Sequence, residues 1–359
     1  MSAPEKQLLK GNDAIAEAAI RAGCTAYFGY PITPQNEIIA YMARHMVQRG
    51  RVFIQAESEV AAINMVYGAA AAGARAMTSS SSPGISLKQE GLSYAAGADI
   101  PLVLVNVMRG GPGLGSIAPS QSDYFQSTRG GGHGDYFCIV LAPKSVQECA
   151  DLTYLAFDLA DQYRTPVIVL ADGMIGQMME GVVLPAERSL DSLPERGWAV
   201  GRMKNRPSRH ITSLNLVPEE LEAKTRKRFE RYDEIKRNEA RFEITGPDDA
   251  DLTFVAYGTS ARVALGAKKL GEREGLKLRV FRPVTLWPFP YEALGAIAKT
   301  GKPVLVVEMS LGQLVEDVRL AVLGQGPVHL LGRAGGVIPT EEEVFKTAEK
   351  ILAEHRRNL

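Results

Sequence analysis

TAYFGYPITPQNEIIAYMARHMVQ, running from Thr25 to Gln48, is the stretch on which the reading of this chain turns. A short apolar run, TAYFGYPI, is followed at once by PQNEIIAYMARHMVQ, which reads as a helix. Proline fixes φ, lacks an N–H and pushes the preceding residue out of the helical region. Pro34 is therefore expected to hold Thr33 extended and to occupy the first turn of the helix, where proline is tolerated. The segment predicts a strand that sets one hydroxyl in a fixed place beside a helix N-terminus. On local physics alone, a simple capped helix start is the stronger reading.

The alternation continues on both sides. Upstream, Asn12 or Asp13 is expected to cap a helix whose apolar face is Ile15, Ala18, Ala19 and Ala22, ending at Gly23. Downstream, RVFIQAE reads as a strand, SEVAAINMVYGAAAAGA as a helix and ARAMTSSSS as a strand, with further strands at PLVLVNVMR, FCIVLAP and TPVIVLADG. Short continuous apolar runs of this kind belong to parallel strands buried on both faces by helices. This first unit is expected over residues 1–190. Residues 191–249 read as a linker, within which 219–243 hold eight Lys/Arg and eight Asp/Glu. Phe229, Tyr232 and Ile235 recur there at three-residue spacing, predicting a solvated helix with one apolar stripe. A second, smaller α/β unit over 250–359 restarts at LTFVAYGTS and continues through LKLRVFRPV, PVLVVEMS and PVHLL.

With 41 Lys+Arg against 41 Asp+Glu the net charge is zero, so no basic excess points to nucleic acid or an anionic membrane surface. The N-terminal MSAPEKQLLKGND has no apolar signal core and no run is long enough to span a bilayer, so a cytoplasmic protein is expected. Cys24, Cys138 and Cys149 form no CxxC and are too scattered to hold a metal or an iron–sulfur cluster. Each is expected to be a small buried hydrophobe.

Four constellations could carry chemistry. In QAESEVAAINMVYGAAAAGA a strand ends at two carboxylates, Glu57 and Glu59, and opens into a helix of small residues. Acidic residues in a first helical turn are also ordinary partners of the helix dipole. In VNVMRGGPGLGSIAPSQSDYF, Arg109 ends an apolar strand at the edge where open α/β sheets bind ligands, and a guanidinium there suits a carboxylate or phosphate. A surface arginine at a strand end is the plainer alternative. TRGGGHGDYF sets His133 and Asp135 among glycines that let backbone approach a ligand. SSSSPGISLKQE places hydroxyls and a Pro-Gly turn before a helix. Walker, GxSxG and HExxH signatures are absent. Asp172-Gly173 of LADGMIGQ fails as a Gly-Asp-Gly…Asn diphosphate signature, because Ala171 replaces the first glycine and Asn205 lies too far downstream.

YPITP, the ESE at a small-residue helix, SSSSPGISLKQEG, NVMRGGPGLG, QSDYFQ and GGGHGDY resemble, in order and spacing, the α subunit of the 2-oxoacid:ferredoxin oxidoreductases. FRPVTLWPFP and VVEMSLGQL extend the resemblance into the second unit. The wording is closest to the 2-oxoisovalerate, or branched-chain, type. The 2-oxoglutarate type more usually reads TATSGPGFSLMQE with GGPSTG. The resemblance implies a pyrimidine-type thiamine-diphosphate-binding domain, mostly parallel with helices on both faces, followed by a smaller transketolase C-terminal-like α/β domain. It also implies oxidative decarboxylation of a 2-oxoacid, acyl transfer to coenzyme A and reduction of ferredoxin. A β subunit would hold the diphosphate and Mg²⁺, with iron–sulfur clusters on partner chains that include γ and ferredoxin-like δ subunits.

By the same resemblance, Glu59 matches the glutamate that bonds the pyrimidine N1′; its distance from Gly68 favours it over Glu57. Thr33 and Arg109 match residues facing the substrate carboxylate or keto oxygen, and Pro31 and Ile32 join Thr33 against the cofactor. Glu57 and His133 are weaker candidates, and no residue is expected to bind metal. Two alternatives stay open. One is the same chemistry on 2-oxoglutarate or phenylglyoxylate; the other is a non-catalytic docking subunit. The quoted motifs offer no second cation beside Arg109 for a distal carboxylate, which disfavours 2-oxoglutarate.

Overall fold

The computed structural model describes residues 5–200 and 208–357. In chain order, β1 (Gln7–Lys10) leads into α1 (Gly11–Arg21), β2 (Ala26–Gly29) into α2 (Asn36–Gln48) and β3 (Val52–Gln55) into α3 (Glu59–Ala71). Next come β4 (Ala76–Ser80), α4 (Ser82–Gly97), β5 (Leu102–Met108), α5 (Tyr124–Thr128), β6 (Ile139–Leu141) and α6 (Val146–Tyr163). They are followed by β7 (Pro166–Asp172), α7 (Gly173–Gln177) and β8 (Met179–Val182). The second half holds α8 (Pro218–Glu239), β9 (Phe242–Thr245), β10 (Leu252–Val255), α9 (Gly258–Arg273), β11 (Leu278–Pro283) and β12 (Thr285–Trp287). It closes with α10 (Tyr291–Ala298), β13 (Val304–Glu308), α11 (Leu314–Val322), β14 (Val328–Gly332) and α12 (Glu341–Arg357).

The larger sheet runs β12-β6-β7-β5-β4-β2-β3, parallel throughout except for β12, which pairs antiparallel with β6. β4, β5 and β7 are buried along their whole length, as the mainly apolar runs LVLVNVM and PVIVLAD require once helices cover both faces, and the hydroxyls of β4 lie at its carboxyl end. β3 is the open edge, with Val52 and Ile54 exposed. From β2 the chain steps outward to β3, then returns to lay β4, β5 and β7 on the opposite side. The winding therefore reverses between β2 and β4. In sheets of this kind the crevice beyond the carboxyl ends of the strands at such a reversal is the place where ligands bind. The segments leaving the sheet there are residues 30–35 after β2 and 81–84 after β4.

The second sheet runs β14-β13-β10-β11-β9, with only β9 antiparallel. The chain from this half returns to the first sheet through β12. α8 lays Tyr232 and Ile235 inward, with Tyr232 edge-on to Phe137 and Trp287 at centroid distances of 5.6 and 5.4 Å. The sequence reading missed β1 and β8, which form a separate two-stranded ribbon.

Three local expectations are corrected. α1 begins at Gly11, so neither Asn12 nor Asp13 caps it; the Asn12 amide instead donates to Pro34 O (2.7 Å) and Glu37 Oε2 (2.9 Å). Pro34 lies ahead of α2 rather than in its first turn, because a turn closed by Gln35 N–H on Ile32 O (3.1 Å) intervenes. Pro83 and Gly84 sit inside the first turn of α4, not in a turn before it, since Pro83 suits a helix start whose N–H groups are unpaired in any case. No helix among the described residues is long and apolar enough to cross a membrane.

Candidate functional site

The turn after β2 is fixed by side chains beneath it. Tyr27 OH and Ser79 Oγ lie 2.6 Å apart, Ser79 Oγ donates to Gln35 Oε1 (2.6 Å), and Gln35 Nε2 donates to Tyr30 O (3.3 Å). β2, β4 and the start of α2 are thereby tied together under Thr33. The Thr33 hydroxyl accepts from Asn36 Nδ2 (3.3 Å), and the Thr33–Pro34 peptide is cis. Thr33 and Ile32 are half-buried, whereas Pro31 is exposed.

Glu59 is the first residue of α3, behind the N-cap Ser58, whose hydroxyl accepts from Ala61 N–H (3.2 Å). Its side chain is turned inward and only 6% exposed. Acidic first-turn residues that merely complement a helix dipole normally face water. No described residue donates a hydrogen bond to its carboxylate. The wall opposite is the first turn of α4, which comes so close that a Cβ on Gly84 would lie 2.5 Å from Glu59 Oε1 and 2.1 Å from Ser80 Oγ. Only a glycine admits the carboxylate there.

Arg109 follows β5 and is also 6% exposed. One terminal nitrogen donates to Thr33 O (3.0 Å) and the other to Leu114 O (3.0 Å), so the guanidinium clasps the β2–α2 turn to the glycine-rich loop. Its Nε–H is buried without a partner. The backbone of Arg109 is held in turn by Ser82: its N–H donates to Ser82 Oγ (3.0 Å), and that hydroxyl donates to Asp123 Oδ2 (2.6 Å). Asn106 Nδ2 also donates to Asp123 Oδ2 (2.8 Å). Thr33, Glu59 and Arg109 thus converge at the reversal of the sheet through residues 80–84. The same region contains further buried, unpaired polar atoms, the hydroxyls of Ser80 and Ser81, whereas the unpaired amide of Gln89 lies against Gly131 in the glycine-rich loop before His133. Orphaned buried polar groups are costly and rare, and their concentration beside an unpaired carboxylate marks a place for a polar ligand. A flat ring with nitrogen acceptors and an amino donor, such as an aminopyrimidine, matches that donor and acceptor set.

Other expectations lie elsewhere. Glu57 is exposed. His133 is exposed too, and only its backbone is held, its carbonyl accepting from Ser93 Oγ (2.9 Å) near the far end of α4. Eleven helical residues at about 1.5 Å each put that contact roughly 16 Å along the helix from Ser82. The glycines before His133 serve this packing: a Cβ on Gly132 would lie 2.4 Å from Gln89 O. QSDYF proves to be largely an inter-unit bolt, in which Gln121 Nε2 donates to Tyr257 O (2.8 Å) and Tyr124 OH to Asp317 Oδ2 (2.6 Å). Asp172 accepts from Thr259 N–H (2.8 Å), Thr259 Oγ1 (2.6 Å) and Ile175 N–H (3.1 Å), and burial pushes its carboxyl pKa up. It pins the second unit and caps α7. The three cysteines are buried and free. Lys88, which the sequence reading left without a role, is fully buried beside Glu59. The only hint in the sequence is a lysine within an otherwise small and apolar helix stripe.

A family model described as pyruvate flavodoxin/ferredoxin oxidoreductase, thiamine diphosphate-binding, matches residues 17–243, and one described as pyruvate:ferredoxin oxidoreductase core domain II matches 250–344. The ketoisovalerate oxidoreductase subunit VorB of Methanothermobacter marburgensis is 49% identical over 97% of this chain and 98% of its own. The 2-oxoglutarate synthase subunit KorA of Archaeoglobus fulgidus is 42% identical over 88% of this chain and 91% of its own. Among solved structures, a 2-oxoglutarate:ferredoxin oxidoreductase from Magnetococcus marinus, with 2-oxoglutarate, coenzyme A and succinyl-CoA bound, superposes with a TM-score of 0.86 at 29% identity. That match covers 97% of this chain and 66% of the longer one. A split-gene transketolase in an inactive β4 tetramer, at 14% identity and a TM-score of 0.57, shares the fold.

Proposed function

The chain belongs to the 2-oxoacid:ferredoxin oxidoreductase family, as a subunit of a multi-subunit, thiamine-diphosphate-dependent enzyme, and we propose that its substrate is a branched-chain 2-oxoacid such as 2-oxoisovalerate. The observation that carries its part in catalysis is the Glu59 carboxylate, buried, unpaired and walled by Gly84 at the sheet's reversal. The choice of acid rests on the near full-length likeness to ketoisovalerate oxidoreductase subunits, against lower identity to the 2-oxoglutarate type. Overall, the 2-oxoacid loses CO₂, its acyl group passes to coenzyme A and an electron pair passes to ferredoxin.

Bound thiamine diphosphate supplies the carbon nucleophile and electron sink for decarboxylation. Glu59, turned inward and 6% exposed, is the group that would hold a proton at the pyrimidine N1′. The hydroxyls of Ser80 and Ser81 are the groups placed to receive the rest of the ring's polar edge. Arg109 presents positive charge beside Thr33 and keeps Thr33 in register through its carbonyl. A 2-oxoacid carboxylate held there is oriented until CO₂ leaves, and Pro31 and Ile32 contribute the turn that closes over it.

A β subunit carrying the diphosphate and Mg²⁺ completes the site. Support comes from the failed Gly-Asp-Gly match at Asp172, which the structure occupies with Thr259, and from apolar side chains exposed around Glu59: Val52, Ile54, Val60 and Leu87. γ and ferredoxin-like δ subunits carrying clusters, with ferredoxin as acceptor, account for the electrons, since the buried, separated cysteines of this chain hold none.

The test is a complex purified through this chain and assayed for coenzyme-A-dependent viologen reduction with 2-oxoisovalerate, 2-oxoglutarate, pyruvate and phenylglyoxylate. The branched-chain acid should show the highest kcat/KM, and Glu59→Gln should assemble yet lose turnover. A higher kcat/KM for another acid corrects the substrate; normal turnover by Glu59→Gln removes that residue from the reaction.

A further inference from the structure

Arginine is seldom buried unless its charge is paired. At the far end of α4 the pairing falls short. Arg164 follows α6, Arg228 and Arg231 lie one turn apart on α8, and all three gather around Asp99, just past α4. Arg228, 6% exposed, donates to Asp99 Oδ1 (3.2 Å) and to Gly97 O (2.9 Å), and Arg231 donates to the same Asp99 Oδ1 (2.5 Å). Arg164 donates a hydrogen bond to no described residue. Its guanidinium lies over the Trp198 indole, 4.6 Å from the ring centroid, where burial lowers its pKa and the charges of Asp99 and Arg231 act on it in opposite senses. The Nε–H groups of Arg164 and Arg231 are buried without a partner. Three guanidiniums thus share one carboxylate. The C-termini of α4 and α6 offer roughly half an elementary charge each, which leaves a surplus of about one positive charge. Residues 201–207, GRMKNRP, hold no acidic side chain that could cancel it.

We propose that Arg164, Arg228 and Arg231 form a binding site for a phosphate-class oxyanion, which clamps the charged helix α8 to the ends of α4 and α6. Guanidinium forks match phosphate oxygens, and a phosphate group near neutral pH carries between about one and two negative charges, enough to cancel the surplus. Solvent reaches the cluster through the half-buried Arg164 and through Arg231, whose side chain is 23% exposed. The three arginines come from two elements and Asp99 from a third, so a bound anion adds a second joint where Asp99 now serves alone. α8 leads into the second unit, and the anion therefore fastens that connection to the first. Fifteen residues of α4 at about 1.5 Å each set Gly97 roughly 22 Å along the helix from Ser82. The cluster is separate from the reversal of the sheet, and the proposal does not rest on the reading of Glu59.

The experiment is calorimetric titration of inorganic phosphate into the complex, saturated beforehand with thiamine diphosphate and held at constant ionic strength with sodium chloride. The wild type should show a phosphate site that is weakened about tenfold or more in Arg164→Met and in Arg231→Met, since each substitution removes a charge-assisted hydrogen bond. Arg164→Lys keeps the charge without the fork and should fall between the wild type and Arg164→Met. Where Arg164→Met does not fold, Arg164→Lys and Arg231→Met carry the same test. Arg237→Met, at an exposed arginine further along α8, should bind phosphate as the wild type does. Adenosine 5′-monophosphate binding more tightly than free phosphate supports the site and assigns it to the phosphate of a larger ligand; weaker binding supports it and assigns free phosphate. Phosphate binding that no substitution at Arg164 or Arg231 weakens, equal weakening in Arg237→Met, or acetate binding more tightly than phosphate overturns the proposal.

Discussion

Replacing Lys88 by methionine should make the protein more stable at neutral pH. The folded-state pKa is about 8 against an ordinary value of 10.5. A lysine whose pKa is lowered by folding contributes its full stability only above the unfolded value, and loses it as pH falls through the folded one. At pH 7 the ammonium is present in both states, and the buried one costs the fold about 3 kcal/mol, taking about 1.4 kcal/mol for each pH unit between the two values. Losing the hydrogen bond to Thr78 offsets about 1 kcal/mol, so a net gain of about 2 kcal/mol is expected for Lys88→Met. The dependence on pH is the stronger signature. At about pH 9.5 the folded lysine is already neutral and most of the unfolded one is still charged, so the cost of the native lysine drops to less than half. Urea unfolding of wild type and variant, followed by the fluorescence of Trp198 and the core residue Trp287, measures the difference at both pH values. A variant that is less stable at pH 7, or a gap that does not shrink at the higher pH, would refute the account of Lys88 as a charge held at a cost.

Gly84→Ala should disturb the same pocket from the other wall. The added methyl meets Ser80 Oγ at 2.1 Å and Glu59 Oε1 at 2.5 Å, so about 1–3 kcal/mol of stability and most of the thiamine diphosphate affinity should be lost, as read by urea unfolding and calorimetry. Gly68→Ala is the matched control on α3: nothing lies within 4 Å of its Cβ position, and the isolated chain should gain up to about 1 kcal/mol. Asp172→Ala should cost about 3 kcal/mol in unfolding, by stranding Thr259 and the α7 N-terminus, yet leave kcat of the assembled complex unchanged.

The strands of the larger sheet, their parallel arrangement and the ligand edge after Arg109 were legible in the sequence because parallel strands buried on both faces read as short apolar runs, as β5 and β7 largely do. Glu59, Thr33 and Arg109 could be picked out by their places after strands; the structure bonds Arg109 to the Thr33 carbonyl and sets the Glu59 carboxylate against Gly84, and their roles are the subject of the proposal above. What the residues could not give was how the motifs divide their work. GGGHGDY looked like a ligand loop because glycine permits close approach, but the close neighbour is α4. QSDYF and Asp172 carry polar groups that suggest chemistry, yet their partners lie more than eighty residues away in the second unit, a separation that no local pattern reports. The Asn12 and Pro34 readings failed for a related reason. A side chain that fits a helix cap locally was recruited by a neighbouring turn. β1 and β8 escaped because QLLK and MEGV are short, partly exposed strands with no alternating pattern.

The buried polar atoms of this chain are distributed in a way that bears on assembly. The inter-unit contacts at Gln121, Asp172 and Asp317 are satisfied on every side chain oxygen that the two units bring together, so the join between the units is a finished piece of structure. The reversal of the sheet is not: Ser80, Ser81 and the Arg109 Nε remain without partners, and the side chains of Lys88 and Glu59 are buried nearby. Each orphaned group costs on the order of 1–3 kcal/mol. Whatever binds there recovers part of that cost, and the recovered energy appears as linkage between cofactor binding and stability of this half of the site. Thiamine diphosphate should therefore raise the denaturation midpoint of the wild-type complex more than that of Glu59→Gln, because only the wild type offers N1′ a carboxylate. The unfinished polar surface is, on this view, the chain's share of a site completed by the cofactor and a second subunit.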